Sequence, residues 1–199
     1  FLVSGFDTDS KSLNTALKIG AIDQKMKTLS EIHNSDIVFI ATPISETSKT
    51  LKKIAPFLKI GTIVTDVASV KAEIVKSCPK NIAFVGGHPM AGKETAGITG
   101  AQKDLFVNRK WILTSENHAL EKIISLMGAK PKIMDVKTHD QSVAAISHLP
   151  FIVSNVLFSS AKNGLSIAAG GFRDTTRLAS GNPTLHTDIV IANKKNILK

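Results

Sequence analysis

Ile82-Ala83-Phe84-Val85-Gly86-Gly87-His88-Pro89-Met90-Ala91-Gly92-Lys93-Glu94 is the stretch on which the fold turns. Four apolar residues rich in β-formers run into two glycines, the pattern of a short buried strand that ends in a tight turn. Gly86 and Gly87 permit a close backbone approach that any side chain would block. Pro89 then stiffens the chain just past His88. A titratable ring on a stiff loop at a strand's carboxyl end is how α/β enzymes place their chemistry. Spacing alone leaves a plain turn histidine equally open.

Outward from this stretch, short apolar strands alternate with amphipathic helices. Strands are expected at residues 1–6, 36–41, 62–65, 82–85, 111–114 and 131–134, and helices at 9–19, 46–58, 70–77 and 117–127. Such alternation implies an α/β, Rossmann-like, doubly wound parallel sheet. From about residue 137 the pattern becomes all-helical. Residues 138–163 form one apolar-rich helix candidate with a kink expected at Pro150, and further helices fall near 174–180 and 184–197. The expected division is residues 1–135 as a nucleotide-binding unit and 136–199 as a helical substrate and dimerisation unit.

Composition narrows the function classes. Net charge is +9 over 199 residues, which raises the question of nucleic acid. The basic residues are scattered, tyrosine is absent, and no aromatic residues alternate with them, so no stacking platform for nucleic acid is expected. An anionic small substrate and a pyrophosphate use the same positive potential. The single cysteine, Cys78, excludes an internal disulfide framework and fits a reducing, cytoplasmic setting. With no second strong ligand near any histidine, no metal is expected. No uninterrupted apolar run approaches the roughly 20 residues of a membrane span, and no signal peptide opens the chain.

The glycine-rich G-x-G-x-x-G turn of dinucleotide folds does not occur in the sequence. Asp7 ends what reads as the second strand of that fold, where a carboxylate takes the ribose hydroxyls and favours NAD over NADP. Asp9 is the alternative if the register shifts by two. The first strand, its loop and its helix are therefore expected to precede Phe1, and more helix to follow Lys199, as in an internal piece of a longer enzyme.

Four segments read together carry a resemblance that covers nearly the whole chain. They are Gly86–Glu94 as quoted, Asp66-Val67-Ala68-Ser69-Val70-Lys71, Ser147-His148-Leu149-Pro150, and Gly170-Gly171-Phe172-Arg173-Asp174-Thr175-Thr176-Arg177. In this order they resemble the prephenate/arogenate dehydrogenase family of tyrosine biosynthesis. The resemblance implies a homodimer that uses NAD and a small substrate; nucleic acid, membrane and metal are not expected on the composition already described. It implies His88 as the catalytic base and Ser69 as the residue that orients it. It implies Arg177 as the anchor of a substrate carboxylate, with Ser147, Glu94 and Gly170 also at the substrate. Asp7, Thr42, Pro43 and Asp66 are implied beside the cofactor.

Each role has a plainer counterpart. Ser69 could cap the helix that follows it, Asp66 could be a turn residue, and Arg173 or Arg177 a solvated helix arginine. Glu94 could be a solvated loop charge and His148 a satisfied core group. His139-Asp140 is expected to cap rather than to catalyse. Phe151 stands where members that use prephenate tend to carry histidine, so arogenate is kept as an alternative to prephenate. Two rivals remain: another NAD(P)-dependent hydroxyacid dehydrogenase, with Lys162 as its lysine, and a cofactor-free fragment.

Overall fold

The computed structural model of the protein describes residues 1–93, 95 and 97–199. The first unit is a small parallel pair, β1 (Ser4–Gly5) with β2 (Gln24–Lys25), joined by helix α1 (Ser10–Lys18). Only two residues of the expected first strand pair. The Asp9 carboxylate caps α1 by accepting from the backbone N–H groups of Lys11 and Ser12 at 3.0 and 3.2 Å. Those bonds and the Ser12 hydroxyl hold Asp9 below the usual carboxylate pKa, the hydroxyl first. Asp9 is thus committed to its helix, while Asp7 stays exposed at the carboxyl end of β1.

The second sheet is parallel in the order β3 (Ile37–Ile40), β4 (Ile63–Asp66), β5 (Ala83–Val85), and helices α2 (Ile44–Ile54) and α3 (Ala72–Ser77) make its crossovers. Parallel neighbours require such long connections, which is why strand and helix alternate along the sequence. The extended chain of β5 then passes through Gly86 directly into β6 (Gly87–Pro89) and changes partner. β6 lies antiparallel to β7 (Lys110–Leu113), which pairs in parallel with β8 (Lys130–Ile133) across helix α4 (His118–Leu126). The expected all-parallel sheet is therefore mixed in its second half. Gly86 is the joint: its N–H donates to the Thr114 hydroxyl at 2.9 Å, and its carbonyl accepts from Thr114 N–H at 2.9 Å.

Two apolar clusters bury the sheets. Ile32, Ile40, Leu51, Ile54, Val64 and Ile74 pack under α2 and α3. Val85, Trp111, Leu113, Leu120, Ile124 and Ala129 pack under α4.

The helical half begins with one continuous rod, Val136–Ser160. Within it α5 (Val136–Val143) and α6 (Leu149–Ser160) flank a π-helical turn, Ala144–His148. Pro150 has no N–H to give and would crowd the carbonyl one turn back. The widened turn answers this: Leu149 N–H reaches Ala144 O, five residues back. By length and composition alone this rod is apolar enough to cross a membrane, with mean hydropathy 1.5, although no uninterrupted apolar run within it approaches such a length. Its inward face nonetheless carries buried His139, Asp140 and His148, all bonded to other parts of the protein. Helices α7 (Gly170–Thr176), α8 (Pro183–Ala192) and α9 (Lys194–Ile197) complete the chain. α7 begins four residues before the expected helix and so takes in the glycine pair.

Leu51 is fully buried and Ile60 fully exposed. Leu51→Ala is expected to lower the unfolding free energy by about 2–5 kcal/mol, and Ile60→Ala to change it by less than about 0.5 kcal/mol. Guanidinium unfolding of the two variants checks this.

Candidate active site

The loop that carries His88 is held from beneath by a buried ion pair. Lys71 and Asp66 are almost wholly inaccessible and bonded to one another. Each also grips Gly87: Lys71 Nζ donates to its carbonyl at 2.7 Å, and its N–H donates to Asp66 Oδ1 at 3.0 Å. Asp66 Oδ2 further accepts from Ala68 N–H at 3.1 Å. Burial pulls the Lys71 ammonium below its ordinary pKa, and the Asp66 and Asp140 carboxylates oppose that shift. Glycine is required at 87 because a Cβ there would collide with the Asp66 carbonyl and press on Thr65 Oγ1. Both Asp66 oxygens are engaged inside the protein, so the carboxylate expected beside a cofactor supports the loop.

His88 projects from this support and meets α5. Its Nδ1 lies 2.9 Å from His139 Nε2, and His139 Nδ1 lies 2.7 Å from Asp140 Oδ1. The Asp140 carboxylate also accepts Lys71 N–H and Ala72 N–H at 2.9 Å each. It thereby caps the start of α3, a helix of the other half, whereas α5 is capped by its own Asp135. Ser69 does not cap α3, which leaves its hydroxyl for the cavity. Burial alone would raise the Asp140 pKa. Hydrogen bonds from His139, Lys71 and Ala72 outweigh it, so the group is held below its ordinary value.

Asn193 closes the network, donating to Asp140 O at 2.7 Å and lying 3.0 Å from His148 Nδ1. Burial pushes His88 down to about 3, helped by the neighbouring His139, Lys71 and His148. Burial likewise lowers His148 to about 4. His88 is therefore a neutral imidazole near pH 7.

A cavity of about 470 Å³ opens at the carboxyl ends of β3 and β4, lined by Phe39, Ala41, Val67, Ser69, His88 and Trp111 among others. Phe39 and Phe106 pack against the Trp111 ring, with centroids 6.2 and 5.0 Å away. His88 and Ser69 thus share one cavity, and the His88 ring is hydrogen-bonded to His139. Thr42 and Pro43 follow β3, with the Thr42 hydroxyl 3.3 Å from that of Thr47. Of the remaining expected substrate residues, Arg177, Ser147 and Gly170 do not line this cavity. Arg177 is exposed just past α7, Gly170 is exposed at its start, and Ser147 is exposed on the π turn. Glu94 lies outside the described residues. Lys162 is exposed, while the buried lysine is Lys71. Among the described residues no cluster of metal-ligating side chains forms.

A nucleotide-binding type of α/β unit, a histidine seated at the carboxyl edge of its sheet, and a helical unit locked onto it define a two-domain α/β-plus-helical protein. Residues 1–133 match the family model for the prephenate dehydrogenase nucleotide-binding domain, and residues 135–199 that for the prephenate dehydrogenase dimerization domain. The chain belongs to the prephenate dehydrogenase family. It is 35% identical to the prephenate dehydrogenase of Lactococcus lactis subsp. cremoris, a match that takes in 100% of this chain and 60% of that protein. The chain thus spans about three fifths of the length of the curated relatives it matches. The crystal structure of Synechocystis arogenate dehydrogenase superposes with a TM-score of 0.86 at 34% identity, covering 99% of this chain and 77% of that one. The prephenate dehydrogenase of Aquifex aeolicus, solved with hydroxyphenyl propionate and NAD+, gives 0.88 at 28% identity, covering 98% and 74%.

Lys71→Met leaves Asp66 buried without its counter-charge and is expected to cost about 3–5 kcal/mol, read from thermal or chemical unfolding. The histidines set an acid limit on stability. Their folded pKa values lie below the ordinary value near 6.5, so the unfolded chain binds more protons between these values. Their contribution is complete above about pH 6.5 and is lost as pH falls through about 4 towards 3. The melting temperature is expected to drop by several degrees between about pH 7 and about pH 4.5, with a shallower drop in His148→Gln.

Proposed function

We propose that the protein catalyses the NAD-dependent oxidative decarboxylation of prephenate to 4-hydroxyphenylpyruvate, with His88 as the base. The observation that carries this reading is a neutral imidazole at the wall of a cavity beyond the strand ends, held by the protein through Nδ1 so that Nε2 is left for a substrate. Residues 1–135 would bind the cofactor, and residues 136–199 would supply substrate contacts and the dimer.

The residues present suit NAD. Asp7 is an exposed carboxylate at the end of β1, with one oxygen accepting Asp9 N–H at 2.8 Å and the other available for a ribose hydroxyl. Thr42 and Pro43 border the same strand ends, and the cavity has room for a planar ring beside Ser69. Bound NAD+ supplies the acceptor for the hydride that leaves the carbinol carbon. His88 Nε2 takes the proton of that carbinol, a role worth about 10²–10⁴ in rate. Loss of CO₂ from the ring restores aromaticity, and the proton held at His88 returns to the phenolate oxygen. Arg177 would clamp a substrate carboxylate through its planar fork, with Ser147, Glu94 and Gly170 around it.

Arogenate is the second reading, favoured by one observation. Phe151 stacks flat on His186, with centroids 3.9 Å apart and planes 8° from parallel, so this turn of α6 presents a hydrocarbon ring. The match to the Synechocystis enzyme points the same way.

The dimer reading rests on the π turn and α6. Ile146, Leu149, Val153 and Val156 recur every three or four residues and are all exposed, the stripe that a second helix covers. Val153→Glu is expected to turn a dimer into a monomer in sedimentation velocity.

Purified protein is expected to reduce NAD+ when given prephenate, and no turnover with prephenate or arogenate would overturn the proposal. His88→Asn is expected to lower kcat by about 10²–10⁴. Arg177→Ala is expected to act mainly on KM, and an unchanged KM would remove its anchoring role.

A further inference from the structure

We propose that Asp140, His139 and His88 form a proton relay that reaches from the helical half to the cavity, in which His139 and Asp140 are positioning residues for the base. The inference rests on the reading of His88 as that base and adds the parts that set its tautomer and receive its charge.

With His139 neutral, the order of hydrogen bonds leaves one arrangement of protons. The Asp140 carboxylate accepts two backbone N–H groups, from Lys71 and Ala72, so it faces donors on every side and acts as an acceptor. His139 Nδ1, 2.7 Å from that carboxylate, must therefore carry a hydrogen. In a neutral imidazole the second nitrogen is then an acceptor, so His139 Nε2 accepts from His88 Nδ1 across 2.9 Å. The same rule leaves His88 Nε2 without a hydrogen and with its lone pair free. Free imidazole would exchange between tautomers. Here the choice is made by a carboxylate two links away, itself fixed by the first turn of α3.

Transfer then balances in two moves. The substrate O–H bond breaks as an N–H bond forms at His88 Nε2. The N–H bond at His88 Nδ1 breaks as one forms at His139 Nε2. His88 ends neutral and His139 ends cationic against the Asp140 carboxylate. No electrons change hands in the relay, and reversal restores the start. Charge would thus leave the cavity for a pocket where His139 and Asp140 are each 1% exposed.

The charged and titratable groups around His88 fit this direction of flow. His139 and Asp140 face it from α5, Lys71 from the turn before α3 and His148 from the π turn, while Asp66 pairs with Lys71 beneath. Lys71 and a protonated His148 both disfavour positive charge on His88, and the Asp140 carboxylate that favours it lies beyond the His139 ring.

The test is nitrogen NMR of protein labelled with ¹⁵N-histidine, which has six histidines to assign, in the full chain and in His139→Leu, His139→Gln and Asp140→Asn. In the unaltered protein His88 is expected to show a protonated Nδ1 and an unprotonated Nε2 across neutral pH. His139→Leu removes the acceptor and should give a mixture of tautomers. His139→Gln retains an acceptor oxygen and should restore the tautomer without restoring transfer. Asp140→Asn leaves one acceptor oxygen where three donors converge and should weaken the tautomer preference of both rings; if it does not fold, the two His139 variants decide alone. An unchanged His88 tautomer in folded His139→Leu overturns the proposal.

Turnover of prephenate with NAD+ gives an independent readout. Both His139 variants are expected to lose about 10–100-fold in kcat, the range for removing the partner that orients a functional histidine, with KM within about twofold and the acid limb of the pH profile displaced. Tautomer changes without any turnover in the unaltered protein would sink the dehydrogenase reading and leave the relay standing. Turnover together with an unmoved tautomer would do the reverse.

Discussion

The ion pair between Lys71 and Asp66 is the constraint on which the site depends. Two opposite charges out of reach of water are costly to bury and costlier to separate. The protein offsets that cost with specific hydrogen bonds, of which one comes from Ala68 and two converge on Gly87. Its carbonyl and its N–H are both taken, so the peptide before His88 has one orientation. The helix that starts beside Lys71 is in turn capped by Asp140. One cluster of charge thus fixes the loop, the start of a helix and the docking of the helical half.

Docking through a carboxylate has a physical logic. An apolar contact between the two halves would tolerate sliding, because burial has no direction. Hydrogen bonds from Lys71 N and Ala72 N to Asp140 do not tolerate it. His139 precedes Asp140 in the chain, so its ring is carried to His88 with the same precision. Asn193 ties the Asp140 carbonyl and His148 into the network from the last part of the chain. His88 is therefore positioned by residues drawn from both halves.

Much of the fold was legible in the residues, and the reasons are periodic. The runs that became β3, β4 and α2 carry their period openly, and the glycine pair before His88 signalled a close approach that Gly87 bears out. The antiparallel turn of the sheet was not legible, since β6 is three residues long and contains glycine and proline, too few for any period to show. The network around His88 was hidden for a different reason. Asp140 meets Lys71 across 69 residues of chain, and no local pattern names so distant a partner. Nothing beside Lys71 in the sequence marks it as buried, and Ser69 was the residue that could have made the cap Asp140 supplies. His139 was read as part of a cap because its neighbour is one. The lone buried lysine near a glycine loop is the signal that a closer reading could have used.

The π turn before Pro150 sets the phase of everything after it. One residue more than an α-turn holds advances the following helix by roughly 100° about its axis. That rotation lets a single rod show hydrogen-bonding groups to the sheet domain along its first half and a hydrocarbon stripe to the outside along its second. Insertions or deletions in this turn would act like a slipped gear. They would leave every side chain chemically intact while turning the exposed apolar stripe to another side of the molecule, so the length of this segment is as much a part of the design as its composition.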